Sequence, residues 1–408
     1  MELRPILSAM TRRKTGAVLI ALQIALTLAI LSNALYVVKD RLDESQRTSG
    51  LDEALVFHIS VIDKERDITG ASASEDLDAL RGLPGIVSAV WVNQVPLSNS
   101  GGSSGYDVKP NSENTLATAA TYMADPGLLK TWGVQLLEGR DFRSDEALLI
   151  DENLPGAPEP KTAILTSAMA RALYPESESV IGKSMYWGSR GPIEIVGVVD
   201  TLVSPWGRSS WGGGEGSLSV ILPVRLVQNW RTYAVRVDDP AALNRLSKDA
   251  DTLLLKRVSG RLSGGVKTMT ETRDERYRGE HTLVNGLLIV MGLLLVMTAS
   301  GIVGLASLWV NQRRKQIGIR RALGARRSDI IRMFLAENLV ITTLGVVLGI
   351  GLALGLNAVM MAQLELARLP WEFLAIGAAL LLSLGVASVA GPALRAASVP
   401  PAVATRSV

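Results

Sequence analysis

No cysteine occurs in the 408 residues, and histidine occurs only twice, at His58 and His281. The first absence excludes a disulfide framework and any thiolate metal site. The second leaves two imidazoles too far apart in sequence to suggest a metal pair, and a lone histidine in a strand is ordinarily structural. Net charge is small, +3 overall, but charge is also missing locally. Ala17–Val38, Leu283–Val310, Leu339–Met361 and Phe373–Leu394 contain no Asp, Glu, Lys, Arg or His. Each is long enough to cross a hydrocarbon core of about 30 Å, which takes about 20 helical residues. The chain therefore reads as a membrane protein. Ion-driven transporters usually keep an ionisable station inside their spans, so energy for any work is expected from elsewhere.

The charges that are present are sorted by position. Residues 39–282 hold 27 basic and 34 acidic side chains, a net of −7. Residues 1–16, 311–334 and 395–408 together hold 14 basic and 2 acidic side chains, a net of +12. The positive-inside rule places the second group in the cytoplasm. Arg12, Arg13 and Lys14 precede the first apolar run as they would precede a signal peptide. That run has 22 residues and continues into "KDRLDESQR", whereas a signal h-region has about 7–15 and ends at a small-residue site. It reads as an uncleaved anchor.

The expected architecture is membrane α-helical, with four transmembrane helices and a large extracytoplasmic α+β domain of two lobes on a helical stalk. An amphipathic cytoplasmic segment (1–16) leads into the first span (17–38), and the external domain with its stalk occupies 39–282. The second span (283–310) is followed by a cytoplasmic region (311–338), the third span (339–361), a short external loop (362–372), the fourth span (373–394) and a cytoplasmic tail (395–408). In the external part, residues 53–62, 85–95 and 116–123 read as strands, as do "GPIEIVGVVDTLV", "SLSVILPV" and "TYAVRVD". "SEDLDALRGL" reads as a helix capped by Ser74, and "TAILTSAMARALYP" as a strand entering a helix capped near Thr166 or Ser167. Pro240–Val258 reads as an amphipathic helix. "SNSGGSSG" (98–105) reads as a loop. The second span is long enough to project outward together with "ETRDERYRGEHT", and beside the extended first span it would form the stalk. Gly345-x-x-x-Gly349 and Gly351-x-x-x-Gly355 in the third span permit close helix approach.

Two glycine motifs carry no chemistry. "IGKS" (181–184) has Ser177 where a phosphate-binding loop needs glycine, and "WGGGEGS" (211–217) has Ser217 where the last dinucleotide-binding glycine belongs. No spacing of carboxylates singles out an acid–base pair. The densest feature is "WVNQRRKQIGIRRALGARRSDIIRMFLAEN" (309–338), with eight Lys/Arg between Arg313 and Arg332 against one acid, Asp329. Gly324 reads as a helix C-cap and Ser328 as the next N-cap, with Ile330, Ile331, Phe334 and Leu335 on one helix face. A nucleic-acid patch can also be basic, but a span begins within a few residues, so this patch belongs at the inner membrane surface.

In these residues the sequence resembles the FtsX/MacB family of ABC-transporter permeases. "RRKQIGIRRALGARRSDIIRMFLAENLVITTLGVVLG" is similar to that family's signature between its second and third spans, although the family commonly has Glu where this chain has Gln316. "GPALRAASVPPAVATRS" loosely resembles its closing segment. "TYMADPGLLKTWGVQLLEGRDF", "TAILTSAMARALYPESESVIGKSM" and "IEIVGVV" are similar to the MacB-type periplasmic domain. The resemblance implies a multi-pass protein of the bacterial inner membrane that binds no cofactor and no nucleic acid. It implies that ATP is used by a separate ABC ATPase subunit, and that the permease pairs with a second copy or a sister permease. Helix motion would then be passed to the periplasm by mechanotransmission. For export, a periplasmic adaptor and an outer-membrane channel would complete the assembly. Activation of a cell-wall hydrolase and lipoprotein release are the alternative family activities. The implied ATPase-coupling segment comprises Arg313, Arg314, Ile317, Gly318, Ile319, Arg320, Arg321, Ala322, Leu323, Gly324, Ala325, Arg326 and Arg327. The implied packing residues of the third span are Gly345, Gly349, Gly351 and Gly355.

Overall fold

The computed structural model describes residues 14–63, 70–112, 115–151, 158–207, 216–228, 230–364 and 368–398. The expected amphipathic segment before Lys14, most of the tryptophan–glycine loop 205–217 and the closing segment after Ser398 lie outside or largely outside these residues. The chain divides into two compact units, residues 46–279 and the pair of segments 1–45 and 280–408.

The first unit is built on two sheets. One contains β1 (Val56–Ile62), β2 (Ile86–Val92), β12 (Trp230–Val237) and β13 (Leu262–Thr268) in the order β13-β1-β12-β2, antiparallel throughout. Helix α2 (Gly70–Arg81) joins β1 to β2, and α5 (Leu243–Arg257) joins β12 to β13. This is a split β-α-β-β-α-β arrangement with residues 93–229 inserted between its halves. Period-two alternation explains its layers. Phe57, Ile59 and Val61 of β1 face Leu77 and Leu80 of α2 and Leu246 and Leu254 of α5. Val56 and His58 face the other way. Val56 packs with Val90, Ala234 and the buried ring of Trp132, which lies in α3 (Leu128–Trp132).

The insertion supplies the second sheet. Its strands are β3 (Ser103–Tyr106), β4 (Ala117–Met123), β5 (Leu136–Gly139), β7 (Thr162–Thr166), β8 (Ser184–Tyr186), β9 (Pro192–Val199) and β10 (Ser219–Leu222). The order is β3-β4-β10-β7-β9-β5, with β8 paired to β9. Short strands β6 (Leu148–Asp151) and β11 (Val224–Val227) pair in parallel. Helix α4 (Ser167–Leu173) covers one face through Met169, Ala170 and Leu173. Thr166 caps it by accepting from the Met169 amide. The expected cap at Ser74 is corrected: α2 starts a turn earlier, and the Ser74 hydroxyl donates back to the Gly70 carbonyl, 3.0 Å away. Its short side chain satisfies itself within the helix rather than ending it.

His58 is held inside this unit. Its Nε2 accepts from the Trp132 indole N–H at 3.0 Å, and burial pushes its pKa down to about 3. The folded state therefore keeps His58 neutral while the unfolded chain takes up a proton near pH 6.5. Between those limits the unfolded state binds more protons, so stability falls as pH falls. Relative to His58→Gln, the wild-type unit is expected to lose roughly 2 kcal/mol between pH 6.5 and pH 5. Tryptophan-monitored unfolding of both proteins at the two pH values measures it; parallel pH profiles would contradict it.

Among the described residues, four helices are long and apolar enough to cross a membrane, and they lie wholly or mostly in the second unit. They are α1 (Lys14–Ser45), α6 (Met269–Gln312), α8 (Arg327–Leu364) and α9 (Trp371–Ala397). A shorter α7 (Arg314–Ala322) lies between α6 and α8. Helix α1 is central, with Ile24, Ala25 and Leu28 fully covered. Between α1 and α6, Leu31, Ala34 and Val38 meet Val284 and Met291, and Thr27 and Thr298 hydroxyls bond at 2.9 Å. The contact continues to an Arg41–Glu280 ion pair at 3.5 Å. In contrast, Ile289, Leu293, Val296 and Met297 of α6 are exposed apolar side chains, as a lipid-facing surface requires.

Candidate functional site: the basic segment between α6 and α8

The chain leaves α6 at Gln312, turns at Arg313 and enters α7. That turn is pinned by a bidentate pair. Arg313 Nη1 and Nη2 donate to Glu337 Oε2 and Oε1 at 2.7 and 2.9 Å. The fork geometry of guanidinium on carboxylate fixes direction as well as distance. Glu337 lies well inside α8, so the pair ties the start of the short helix to the long one. Sequence reading misses Glu337 as a partner because its distance in sequence gives no hint of the fold-back. Gln316, where the family commonly has Glu, is exposed, and the buried acid of this region is Glu337 instead.

Apolar contacts complete the anchoring. Ile317 is buried together with Ile330 and Phe334 of α8 and Ala393, Ala396 and Ala397 of α9. Gly318 is also buried. The end of α7 is a Schellman closure. The Ala325 amide donates to the Arg320 carbonyl and the Gly324 amide to that of Arg321, both at 3.1 Å, with Gly324 at φ +100°. A side chain is strained at that φ, which is why glycine stands there. The expected cap at Ser328 is corrected. Helix α8 begins at Arg327, and the acceptor for the Arg326 amide is Asp329 Oδ2 at 2.9 Å. The carboxylate three positions on reaches back as in half of a capping box.

This framework divides the predicted coupling residues into two groups. Arg313, Ile317, Gly318 and Arg321 face inward or are half-buried, and Ala325 is half-buried at the bend. Arg321 Nη1 donates to the Ala397 carbonyl at 2.9 Å, so it braces the end of α9. Arg314, Ile319, Arg320, Ala322, Leu323, Gly324, Arg326 and Arg327 are exposed. Within that surface Leu323 is 84% exposed and Ile319 46%. An aliphatic side chain so presented, at a glycine bend between Arg320 and Arg326, is a knob without a hole among the described residues.

The glycines of α8 divide similarly. A Cβ on Gly345 would lie 2.8 Å from Ile24 Cβ, and one on Gly349 3.0 Å from Ala25 Cα. At Gly351 and Gly355 nothing among the described residues lies within 4 Å. Of the four packing glycines expected in the third span, Gly345 and Gly349 thus lie against α1 of the same chain, and Gly351 and Gly355 lie on another face. Residues two apart on a helix point in nearly opposite directions. The seam against α1 runs Gly345, Gly349, Ala353, and the Ala353 carbonyl accepts from Asn33 Nδ2 at 3.1 Å. In the fourth span, Gly377 and Gly385 allow further close approaches, to Ser32 and Thr342.

Comparison with known families matches both units. The FtsX-like permease C-terminal family covers residues 288–401, and the MacB-like periplasmic core domain family covers 16–253. Among curated relatives, the macrolide export ATP-binding/permease protein MacB of Bradyrhizobium diazoefficiens is 29% identical over 256 residues, 60% of this chain and 38% of that protein. MacB of Azoarcus sp. is 26% identical over 300 residues, 72% of this chain and 42% of that protein. The chain thus spans less than half the length of these relatives. The crystal structure of the periplasmic region of MacB from Actinobacillus actinomycetemcomitans aligns with TM-score 0.34 and 14% identity, covering 57% of this chain and 97% of that one. The extracellular domain of the Gram-positive transporter YknZ aligns with TM-score 0.32 and 17% identity, covering 51% and 100%.

Proposed function

Since the chain belongs to the FtsX/MacB family of ABC-transporter permeases, we propose that it is an export permease driven by a separate ATPase subunit that docks on α7 and the bend after it. On this reading α7, the termini and the bend are cytoplasmic, the four spans cross the inner membrane, and residues 39–282 are periplasmic. The charge asymmetry between these parts supports that orientation. ATP-driven closure of the docked subunits moves α7. Arg313 and Glu337 pass the motion to α8, and α6 carries it outward. No cargo has to pass between the spans, in keeping with their lack of charged side chains. Export as the purpose, with a periplasmic adaptor and an outer-membrane duct, is supported by the relatives named for macrolide export. A second permease copy completes the membrane pair.

The observation that carries the docking assignment is the exposure of Leu323 between Arg320 and Arg326 on a segment otherwise anchored by Ile317 and Phe334. Interfaces draw most of their energy from a few such protruding anchors, each worth about 2 kcal/mol or more on truncation. Arg320→Glu combined with Leu323→Asp gives up one exposed contact, from Arg320 Nη1 to Met333 Sδ at 2.9 Å, and leaves the Arg313–Glu337 pair and the burial of Ile317 in place. It is expected to weaken ATPase association by about 30-fold or more, with normal membrane insertion. Arg321→Glu is a poor probe because it also removes the brace on Ala397. A double variant that inserts normally and still copurifies its ATPase in full amount would sink the docking site.

A further inference from the structure

Between α1, α6 and α8 the second unit leaves a groove of about 430 Å³, within the usual size of small-ligand sites. Ala34 and Val37 of α1 form its floor, Leu283 and Leu287 of α6 one wall, and Leu356 and Met360 of α8 the other. Leu283 and Leu356 are exposed, so the groove opens sideways to whatever surrounds the helices. Its two polar lining residues are Asn33 and Arg41. Asn33 spends its amide nitrogen on the Ala29 and Ala353 carbonyls, at 2.9 and 3.1 Å. Arg41 stands at one end, just beyond the charge-free run that closes at Val38.

Along α1 the lining runs from Ile30 to Arg41, a rise of about 16 Å. A hydrocarbon core is about 30 Å thick, so the groove has the depth of one leaflet. A helix about 10–12 Å across would fill far more than this volume over that length. A single hydrocarbon chain lying along α1, with its polar end at Arg41, fits both the length and the apolar walls.

The polar end carries both signs. Arg41 Nη1 meets Glu280 Oε1 at 3.5 Å, longer than the roughly 2.7–2.9 Å of a tight charge-assisted bond. Their side chains are 36% and 24% exposed. Each therefore keeps capacity for an outside partner: the guanidinium can donate to phosphate oxygens, and the carboxylate can accept from an ammonium.

A phosphate and a primary ammonium joined by a short linker are the headgroup of phosphatidylethanolamine. Phosphatidylglycerol has no cation for Glu280, and the quaternary ammonium of phosphatidylcholine has no N–H to donate. We propose that the groove holds one acyl chain of a phosphatidylethanolamine, in the leaflet on the side of residues 39–282, with its headgroup on the Arg41–Glu280 pair. The proposal stands on the groove and the ion pair and is independent of the export reading.

The test reconstitutes the full chain in nanodiscs of equal parts phosphatidylethanolamine, phosphatidylglycerol and phosphatidylcholine with the same acyl chains. Native mass spectrometry after release into detergent reads which lipid stays bound. Phosphatidylethanolamine should be retained about tenfold over either of the others, the usual worth of a hydrogen bond to a charged group. Glu280→Gln should bring its ratio to phosphatidylglycerol down to about one, because the neutral amide no longer pairs with the ammonium. Val37→Trp fills the floor and should remove the bound lipid whatever its headgroup. If that variant fails to fold, the isosteric Glu280→Gln decides alone through the headgroup ratio. Retention of the three lipids in bath proportions, or of none, overturns the proposal, as does an unchanged ratio in Glu280→Gln. Loss of permease pairing in Val37→Trp with no lipid released overturns it too, and gives the groove to a second copy.

Discussion

Asp76→Ala is expected to destabilise residues 46–279 by about 3–5 kcal/mol, the usual effect of removing one partner of a buried ion pair. Asp76 is one of four charged side chains enclosed between α2, α5 and the first sheet. Arg261 donates to Asp76 Oδ1 at 3.0 Å and to Asp63 Oδ1 at 2.7 Å. Arg231 bonds Asp63, and it reaches Ser72 Oγ at 2.9 Å. The Tyr233 hydroxyl also donates to Asp76, at 2.9 Å. Arg231 and Arg261 have fully buried side chains. Two buried cations share two anions, and the partly exposed Arg257 also reaches Asp76 at 3.4 Å, so deleting Asp76 leaves two buried guanidinium groups to share the one carboxylate of Asp63. Burial alone would raise the Asp63 pKa, but the hydrogen bond from Arg261 and the charge of Arg231 outweigh it and hold the carboxyl below its ordinary range. Its share of stability is therefore present above about pH 4 and is lost as pH falls through the lowered value. Chemical unfolding of the full chain, monitored through Trp91 and Trp132, measures the loss. A change under about 1 kcal/mol for Asp76→Ala would show that water reaches the network.

Gly349→Leu is the second large effect, and Gly351→Leu is its control. The added side chain at 349 must enter space held by Ala25 backbone and Leu28 Cβ, at 3.0 and 2.9 Å from a mere Cβ. Neither neighbour is a flexible tip. Overpacking of this kind costs about 1–3 kcal/mol or more, and here it separates α8 from the central helix. The expected result is loss of folded permease on size-exclusion chromatography after Gly349→Leu. Gly351→Leu meets nothing among the described residues of its own chain, so the monomer should fold normally. If Gly351→Leu nevertheless abolishes pairing of two permease chains, the Gly351–Gly355 face is their contact. Normal behaviour of Gly349→Leu would remove the α1–α8 seam as a determinant of the fold.

Much of this architecture is legible in the sequence where long patterns carry it. The four spans stand out because some twenty apolar residues in a row without a charge are the mark of a bilayer-crossing helix. Thr166 is recognisable as a cap because a strand pattern ends where a helix pattern begins. Short elements whose chemistry argues against them are not visible. Strand β13 contains "SGG" and β3 lies inside a serine–glycine run; both owe their state to pairing with β1 and β4 rather than to propensity. Ser74 and Ser328 are good caps by composition, but each sits inside its helix. The candidate site is legible as a stretch yet not resolved within it. Arg320 and Arg321 are equivalent in the string, and only the arrival of the α9 carbonyl at Ala397 makes one of them structural.

The insertion of residues 93–229 between β2 and β12 also sets a clock for synthesis. In the finished sheet β1 and β2 are not neighbours, since β12 lies between them. Until the ribosome has made Trp230–Val237, both strands emerge with their pairing partner still missing. At a bacterial pace of about 5–20 residues per second, that wait lasts roughly ten seconds or more. Unpaired strand edges invite pairing with other chains. Newly made chains on the far side of the membrane should therefore depend on chaperones until the middle of the sheet arrives. A ribosome stalled shortly before residue 230 should hold them in their most protease-sensitive state.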